Sequence, residues 1–210
     1  MSGFIYVFRR AIKWFAVIFL IMLLDACSKT EYTALTSDAV ILAFGDSLTA
    51  GYGTSRDNSY PAHLQHLTGL TVVNAGVSGE TTSEGLMRLP ALLTQYEPEL
   101  VILIEGGNDI LRNLSASRAK KNLAAMIELS EERGAKVVLL GVPEKNLFSK
   151  TAPFYKELAE EYSVVFSPDI LSDILKSPSL KSDQVHLNAL GYRQMAEEVY
   201  KLLDDAGLVR

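Results

Sequence analysis

Five short apolar runs punctuate the chain after its first forty residues: Val40–Phe44, Thr71–Ala75, Leu100–Ile104, Lys136–Leu140 and Val164–Phe166. They are rich in Val, Ile and Leu without polar alternation, the pattern of strands buried on both faces. Between them, apolar residues return every three or four positions at about Pro61–Leu67, Thr82–Tyr96, Ala116–Arg133, Pro153–Glu161 and Asn188–Asp205. That spacing predicts amphipathic helices. Their ends carry helix punctuation: Pro61 in a first turn, Gly134 just past Arg133, and Asn188 opening the last helix. Alternation of strand and helix requires right-handed crossovers and yields a parallel sheet covered on both faces. The expected architecture is α/β, a three-layer α/β/α sandwich around a five-stranded parallel sheet in flavodoxin-like order. Ligands of such sheets bind beyond the carboxyl ends of the strands, so chemistry is expected in the turns that leave them.

The first residues follow a different pattern. Arg9, Arg10 and Lys13 precede an uninterrupted apolar run, Trp14 to Leu24, and then Asp25-Ala26-Cys27. Basic residues, a short apolar run and a small residue make a secretory signal. The run is about half the ~20 residues that a membrane-spanning helix needs, and the other reading is an uncleaved anchor extended by the residues before Arg9. Leu24-Asp25-Ala26-Cys27 resembles the lipobox of bacterial lipoproteins, in which the cysteine is acylated and becomes the new N-terminus. Asp25 departs from the small or aliphatic residue usual there. Cys27 is the only cysteine of the chain, so it has no internal disulfide partner, and its position favours modification over a chance free thiol. Ser28 behind it resembles the signal for outer-membrane sorting in Gram-negative cells. Residues 1–26 are therefore expected to be a lipoprotein-type signal peptide, 27–38 a flexible tether spanning roughly 15–20 Å, and 39–210 a single folded domain. The 210 residues, 48% of them hydrophobic, suffice for one well-filled core. A net charge of −5, with no basic block beyond the first fifteen residues, argues against a nucleic-acid partner.

The first strand runs out into Gly45-Asp46-Ser47-Leu48-Thr49-Ala50-Gly51-Tyr52-Gly53. A serine in a tight turn at a strand's carboxyl end can aim its hydroxyl into the cleft, where a following helical turn adds backbone N–H groups. The bland reading is a glycine-rich connection in which Ser47 caps a helix. The second strand leaves through Asn74-Ala75-Gly76-Val77-Ser78-Gly79 and the third through Glu105-Gly106-Gly107-Asn108-Asp109. Glycines there permit positive φ, and the Asn108 carboxamide supplies donors of the kind an oxyanion hole requires. Each segment alone is an ordinary turn, but the coincidence at three strand ends points to a site. In Asp183-Gln184-Val185-His186, before the last helix, the carboxylate can hold the imidazole Nδ1–H and leave Nε2 for Ser47. His63 and His66 lack a third ligand at zinc spacing and read as partly exposed helix residues.

These blocks, Gly45-Asp46-Ser47-Leu48, the glycine closing Asn74–Gly79, Gly106-Gly107-Asn108-Asp109 and Asp183-x-x-His186, resemble in order and spacing the SGNH, or GDSL, hydrolase superfamily. The similarity runs from about Val40 to the last helix and is closest to the bacterial branch of multifunctional thioesterases, arylesterases and lysophospholipases. The resemblance implies a serine esterase that cleaves carboxylic esters through an acyl-enzyme: aryl esters, short to medium acyl esters, and also lysophospholipids or thioesters. Ser47 would be the nucleophile, with Asp183 and His186 completing the triad. The N–H groups of Ser47 and Gly79 with the Asn108 side chain would form the oxyanion hole, Gly76 being the alternative to Gly79. No metal or organic cofactor is implied. Ile110-Leu111-Arg112-Asn113-Leu114 resembles the loop that covers the acyl chain in those thioesterases, marking Ile110, Leu111 and Leu114 as substrate contacts. His186-Leu187-Asn188 stands where many members have His-Pro-Asn or His-Leu-Asn-Asn, with both catalytic positions intact. No Gly-x-Ser-x-Gly surrounds Ser47, which disfavours an α/β-hydrolase. The expected partners are a small-molecule or lipid ester and, through the N-terminal lipid, a membrane of the bacterial envelope. Two other readings are a carbohydrate O-acetylesterase of the envelope and a flavodoxin-like module holding a phosphate at 45–53. Asp46 beside Ser47 opposes an anion in that turn, and such a module leaves Asp183 and His186 unexplained.

Overall fold

A computed structural model of the chain describes residues 32–145 and 150–209. The signal segment, Cys27 and the start of the expected tether lie outside the described residues. Strands β1 (Val40–Gly45), β2 (Thr71–Gly76), β3 (Leu100–Ile104), β4 (Lys136–Leu140) and β5 (Val165–Ser167) form one parallel sheet in the order β2-β1-β3-β4-β5. Each lies within a residue or so of the run that predicted it. Every residue of β3 is buried, as are the last five of β1. Burial on both faces leaves no position where a polar side chain reaches water, so these runs do not alternate.

Between the strands lie α1 (Ser47–Ala50), α2 (Tyr60–Thr68), α3 (Thr82–Tyr96), α4 (Gly107–Leu111), α5 (Ala116–Glu132), α6 (Pro153–Tyr162), α7 (Ile170–Leu175) and α8 (Ala189–Asp205). α2 packs on α8 with α7 beside it, and α3 packs on α5 with α6 beside it. Right-handed crossovers put these two groups on opposite faces, because the step from β1 to β2 runs one way across the sheet and all later steps run the other. Asn188 caps α8 by accepting the Gly191 N–H at 3.0 Å, and Thr81 with Glu84 forms a capping box on α3. The register sets Gly45 opposite both Gly76 and Ile104. The carboxyl ends of three strands are thus level, and their outgoing turns share one rim.

One expectation is corrected here. Residues 32–38 were expected to be flexible tether, but Tyr32 donates its hydroxyl to the Ser163 carbonyl at 2.6 Å and the Leu35 N–H meets the Leu208 carbonyl at 2.9 Å. The Thr36 N–H reaches the Glu99 carboxylate at 3.2 Å. Both Tyr32 and Leu35 pack on the core, so the segment from Tyr32 to Asp38 is part of the folded domain. Ser163 and Glu99 lie just before β5 and β3, which places this entry segment at the amino-terminal rim of the sheet, opposite the rim of the outgoing turns.

Candidate active site

In the order β2-β1-β3, the chain leaves β1 toward one side and β3 lies on the other, so the crevice between their carboxyl ends is the switch point where open α/β sheets bind ligands. Ser47 leaves β1 and Asn108 leaves β3 at that point. Asp46 caps α1 by accepting the Leu48 N–H at 3.0 Å, which makes Ser47 the first residue of the turn and leaves its N–H without an intrahelical partner. The turn is only four residues long, too short to show a helical period in the sequence.

His186 comes to this point from a loop 139 residues later. Its Nε2 lies 3.0 Å from Ser47 Oγ, and its Nδ1 lies 2.7 Å from Asp183 Oδ2. The other Asp183 oxygen accepts the N–H groups of Val185 and His186, each at 2.8 Å. Partial burial pushes the Asp183 carboxyl up, but these two backbone bonds and the imidazole outweigh it and hold the group below its ordinary range. An acceptor that stays ionised keeps the Nδ1–H tautomer in place and directs Nε2 at the serine. The loop is closed by Ser182 N–H to the His186 carbonyl at 3.0 Å and by Asn188 N–H to the Leu180 carbonyl at 2.9 Å. On its outer side the Tyr52 ring lies 4.4 Å from the imidazole, tilted by 43°.

Asn108 sits in the first turn of α4. Its entry residue Gly106 has φ +106°, and a Cβ there would stand 2.5 Å from the Tyr155 hydroxyl that donates to the Glu105 carbonyl. The Asn108 amide donates to the Glu80 carbonyl at 2.9 Å and, more loosely, to Asp46 Oδ2 at 3.3 Å. Gly79, at φ +81°, is tied to the end of α4 because its carbonyl accepts from Arg112 at 2.8 Å. Ser47, Gly79, Asn108 and His186 all line one cleft of about 830 Å³. Gly76 does not, and its N–H is taken by Asn74 Oδ1 at 3.1 Å, which favours Gly79 over the alternative. Ile110 and Leu111 stand on the cleft wall, together with Leu48, Val142 and Leu175. Leu114 stands outside it. Asn113 turns into the left-handed region at φ 54° and the Leu114 N–H closes back on the Asp109 carbonyl at 2.8 Å, carrying Leu114 off to an exposed position. His63 and His66 lie on α2, away from the cleft.

At the wall of the cleft and behind it lies a group of buried acids that no sequence period announces: Asp46, which lines the cleft, and Glu80, Glu105 and Asp109. Asp109 accepts both the N–H and the hydroxyl of Thr82 at 2.8 Å, joining α4 to α3. Glu80 is paired through both oxygens with Arg88, whose Nε lies 2.8 Å from Oε1 and whose guanidinium covers the Phe44 ring at 4.3 Å. Burial pushes the Asp46 carboxyl up to about 6, opposed by the Leu48 N–H and His186 and reinforced by Glu80 and Asp109. Glu105 is wholly enclosed, and burial, then the neighbouring Asp46 and Glu80, hold its carboxyl well above the ordinary range. A neutral acid is the form such a place favours.

This geometry agrees with what the comparisons with known proteins found. Residues 43–194 match the model of the GDSL-like lipase/acylhydrolase family. The chain belongs to that family. An arylesterase of Vibrio mimicus is 36% identical over 153 residues, covering 68% of this chain and 76% of the relative. The thioesterase 1/protease 1/lysophospholipase L1 of Escherichia coli K12 is 29% identical over 189 residues, covering 86% and 88%. Among solved structures, the psychrotrophic esterase EstA from a Pseudoalteromonas species, inhibited by monoethylphosphonate, superimposes with a TM-score of 0.74 at 27% identity, covering 80% of this chain and 98% of its own. This family member is an ester-cleaving serine hydrolase with the expected fold.

Proposed function

We propose that Ser47, His186 and Asp183 are its catalytic triad, that the Ser47 and Gly79 N–H groups and the Asn108 amide form the oxyanion hole, and that its substrates are carboxylic esters of short to medium acyl chain. The reading rests above all on the hydrogen-bonded line from Ser47 Oγ through His186 to Asp183, at 3.0 and 2.7 Å, standing at the β1/β3 switch point. His186 takes the Ser47 proton as Oγ bonds to the carbonyl carbon, and the hole stabilises the tetrahedral oxyanion. The alkoxide leaves with that proton, and water, activated by the same imidazole, releases the acid. Asn108 already holds one donor on the Glu80 carbonyl, so the looser bond to Asp46 is the one a substrate oxygen would replace. The mainly apolar wall of Ile110, Leu111 and Val142 beside Asn108 suits an acyl chain, each buried methylene contributing up to about 0.8 kcal/mol.

The same proposal places the protein in the bacterial envelope as a lipoprotein acylated at Cys27, supported by the signal-like segment and the single cysteine. Substrates would then be envelope or incoming esters rather than coenzyme A thioesters.

Labelling with a fluorophosphonate tests the assignment, since only an activated serine reacts at an appreciable rate. One adduct by intact mass in the wild type and none in Ser47→Ala is the expected result; equal labelling of both proteins rejects it. A series of p-nitrophenyl esters from acetate to palmitate, run beside acetylated sugars, tests the substrate class. A maximum at acetate with faster turnover of the sugars would replace it by a carbohydrate O-acetylesterase.

A further inference from the structure

Tyr52 is a residue of the cleft to which the catalytic reading gives no task. Its backbone is anchored: the carbonyl accepts from the hydroxyl of Tyr192, a fully buried residue of α8, at 2.7 Å. Its ring is not enclosed. It lines the cleft, leans against His186 with ring centroids 4.4 Å apart and a tilt of 43°, and yet stays 54% exposed. A large apolar ring held at its root and open along its side offers a face to a ligand.

The chemistry decides which part of a ligand meets it. In acylation the bond from Ser47 Oγ to the carbonyl carbon forms and the bond from that carbon to the leaving oxygen breaks. The electron pair goes to the leaving oxygen, which takes from His186 Nε2 the proton that Ser47 gave up. The leaving oxygen must therefore lie within hydrogen-bond reach of Nε2, about 3 Å. Whatever it carries lies beside the imidazole, and so beside Tyr52. The carbonyl oxygen points the other way, to Gly79 and Asn108.

We infer that Tyr52 is the leaving-group wall of the cleft and makes the enzyme favour aryl over alkyl leaving groups. This rests on the triad assignment above. A flat aryl group can stack on the exposed ring, whereas a small alkyl group has no face to offer it. After the first half-reaction the leaving group is gone, so Tyr52 contributes to acylation and not to hydrolysis of the acyl-enzyme.

The test compares phenyl butyrate with ethyl butyrate on the full-length protein, wild type, Tyr52→Ala and Tyr52→Phe. The two esters share one butyryl-enzyme. Their kcat/KM ratio does not depend on the fraction of folded enzyme, so a poorly folding variant still answers. For Tyr52→Ala the ratio of phenyl to ethyl should fall roughly 3- to 10-fold, the scale of one aromatic stacking contact. Tyr52→Phe should keep the wild-type ratio, and the deacylation rate from a pre-steady-state burst should be the same in all three. An equal loss on both esters would reduce Tyr52 to a prop for His186 and overturn the inference, as would an unchanged ratio. If the wild type cleaves neither ester, the fault lies with the esterase reading itself.

Discussion

Ser47 and Asn108 leave adjacent strands in the middle of the sheet, whereas Asp183 and His186 share a surface loop and lie three residues apart. The first pair stands on buried ground: Asp46 behind Ser47 is enclosed, and the Asn108 amide is held by the Glu80 carbonyl, whose own side chain is clamped by Arg88. The second pair is open, with the Asp183 side chain 46% exposed, and its geometry comes from hydrogen bonds between near neighbours. The acids differ in the same sense. Asp183 is held below the ordinary carboxylate range, while Asp46 is pushed up to about 6. Ser47 and Asn108 are thus built into the sheet, whereas Asp183 and His186 are held mainly by hydrogen bonds within their own loop, with Leu187 anchoring it in the core. On the proposed mechanism, preorganisation is concentrated where charge develops on the substrate oxygen, and the proposed proton carrier is held by a local clip.

The contrast can be broken residue by residue. Removing the proposed proton carrier should have the largest effect: His186→Ala is expected to lower kcat for p-nitrophenyl butyrate by roughly four to six orders of magnitude, since members of a triad act as a unit. Asp183→Asn comes next. A carboxamide can hold the wrong tautomer, and a loss of roughly 10²–10⁴ in kcat is expected, toward the lower end because water reaches this loop. A loss as large as that of His186→Ala would show that the exposed half is as preorganised as the buried one.

On the buried side, Asn108→Ala should lose roughly 10²–10³ in kcat with little change in KM, because its donor matters most as charge develops. A change confined to KM would assign Asn108 to substrate binding alone. Arg88→Ala leaves Glu80 buried without its cation, and a denaturant titration should show a loss of about 2–3 kcal/mol of stability, less than for a fully enclosed pair because Arg88 is partly exposed. The last comparison concerns pH. The unfolded chain loses the Asp46 proton near the ordinary 3.8 and the folded chain at about 6, so between those values the folded state binds more protons and stability falls as pH rises. Thermal melts of Asp46→Asn from pH 4 to pH 7 should show a shallower fall than the wild type; parallel curves would mean that Asp46 does not titrate in this window.

The chain displays its strands, its long helices and the local half of its site without help from the fold. Buried strands must be apolar throughout and surface helices must be apolar on one side, so both leave periods in the sequence. Asp183 and His186 meet within a single turn, so their spacing alone carries their relation. What the tertiary structure decided lies in contacts with no period. It seated Tyr32–Asp38, polar by composition, on Ser163, Glu99 and Leu208. It closed turns too short for a helical pattern, α1, α4 and α7, and turned Leu114 out of the groove at Asn113. It gathered Asp46, Glu80, Glu105 and Asp109 at the cleft wall and behind it, and it set Tyr52 against an imidazole more than a hundred residues away. The physical reason is common to all of these. A period records the environment of one element, whereas a buried charge or a ring contact depends on which elements the sheet brings side by side, and that is settled only when strands from distant parts of the chain pair.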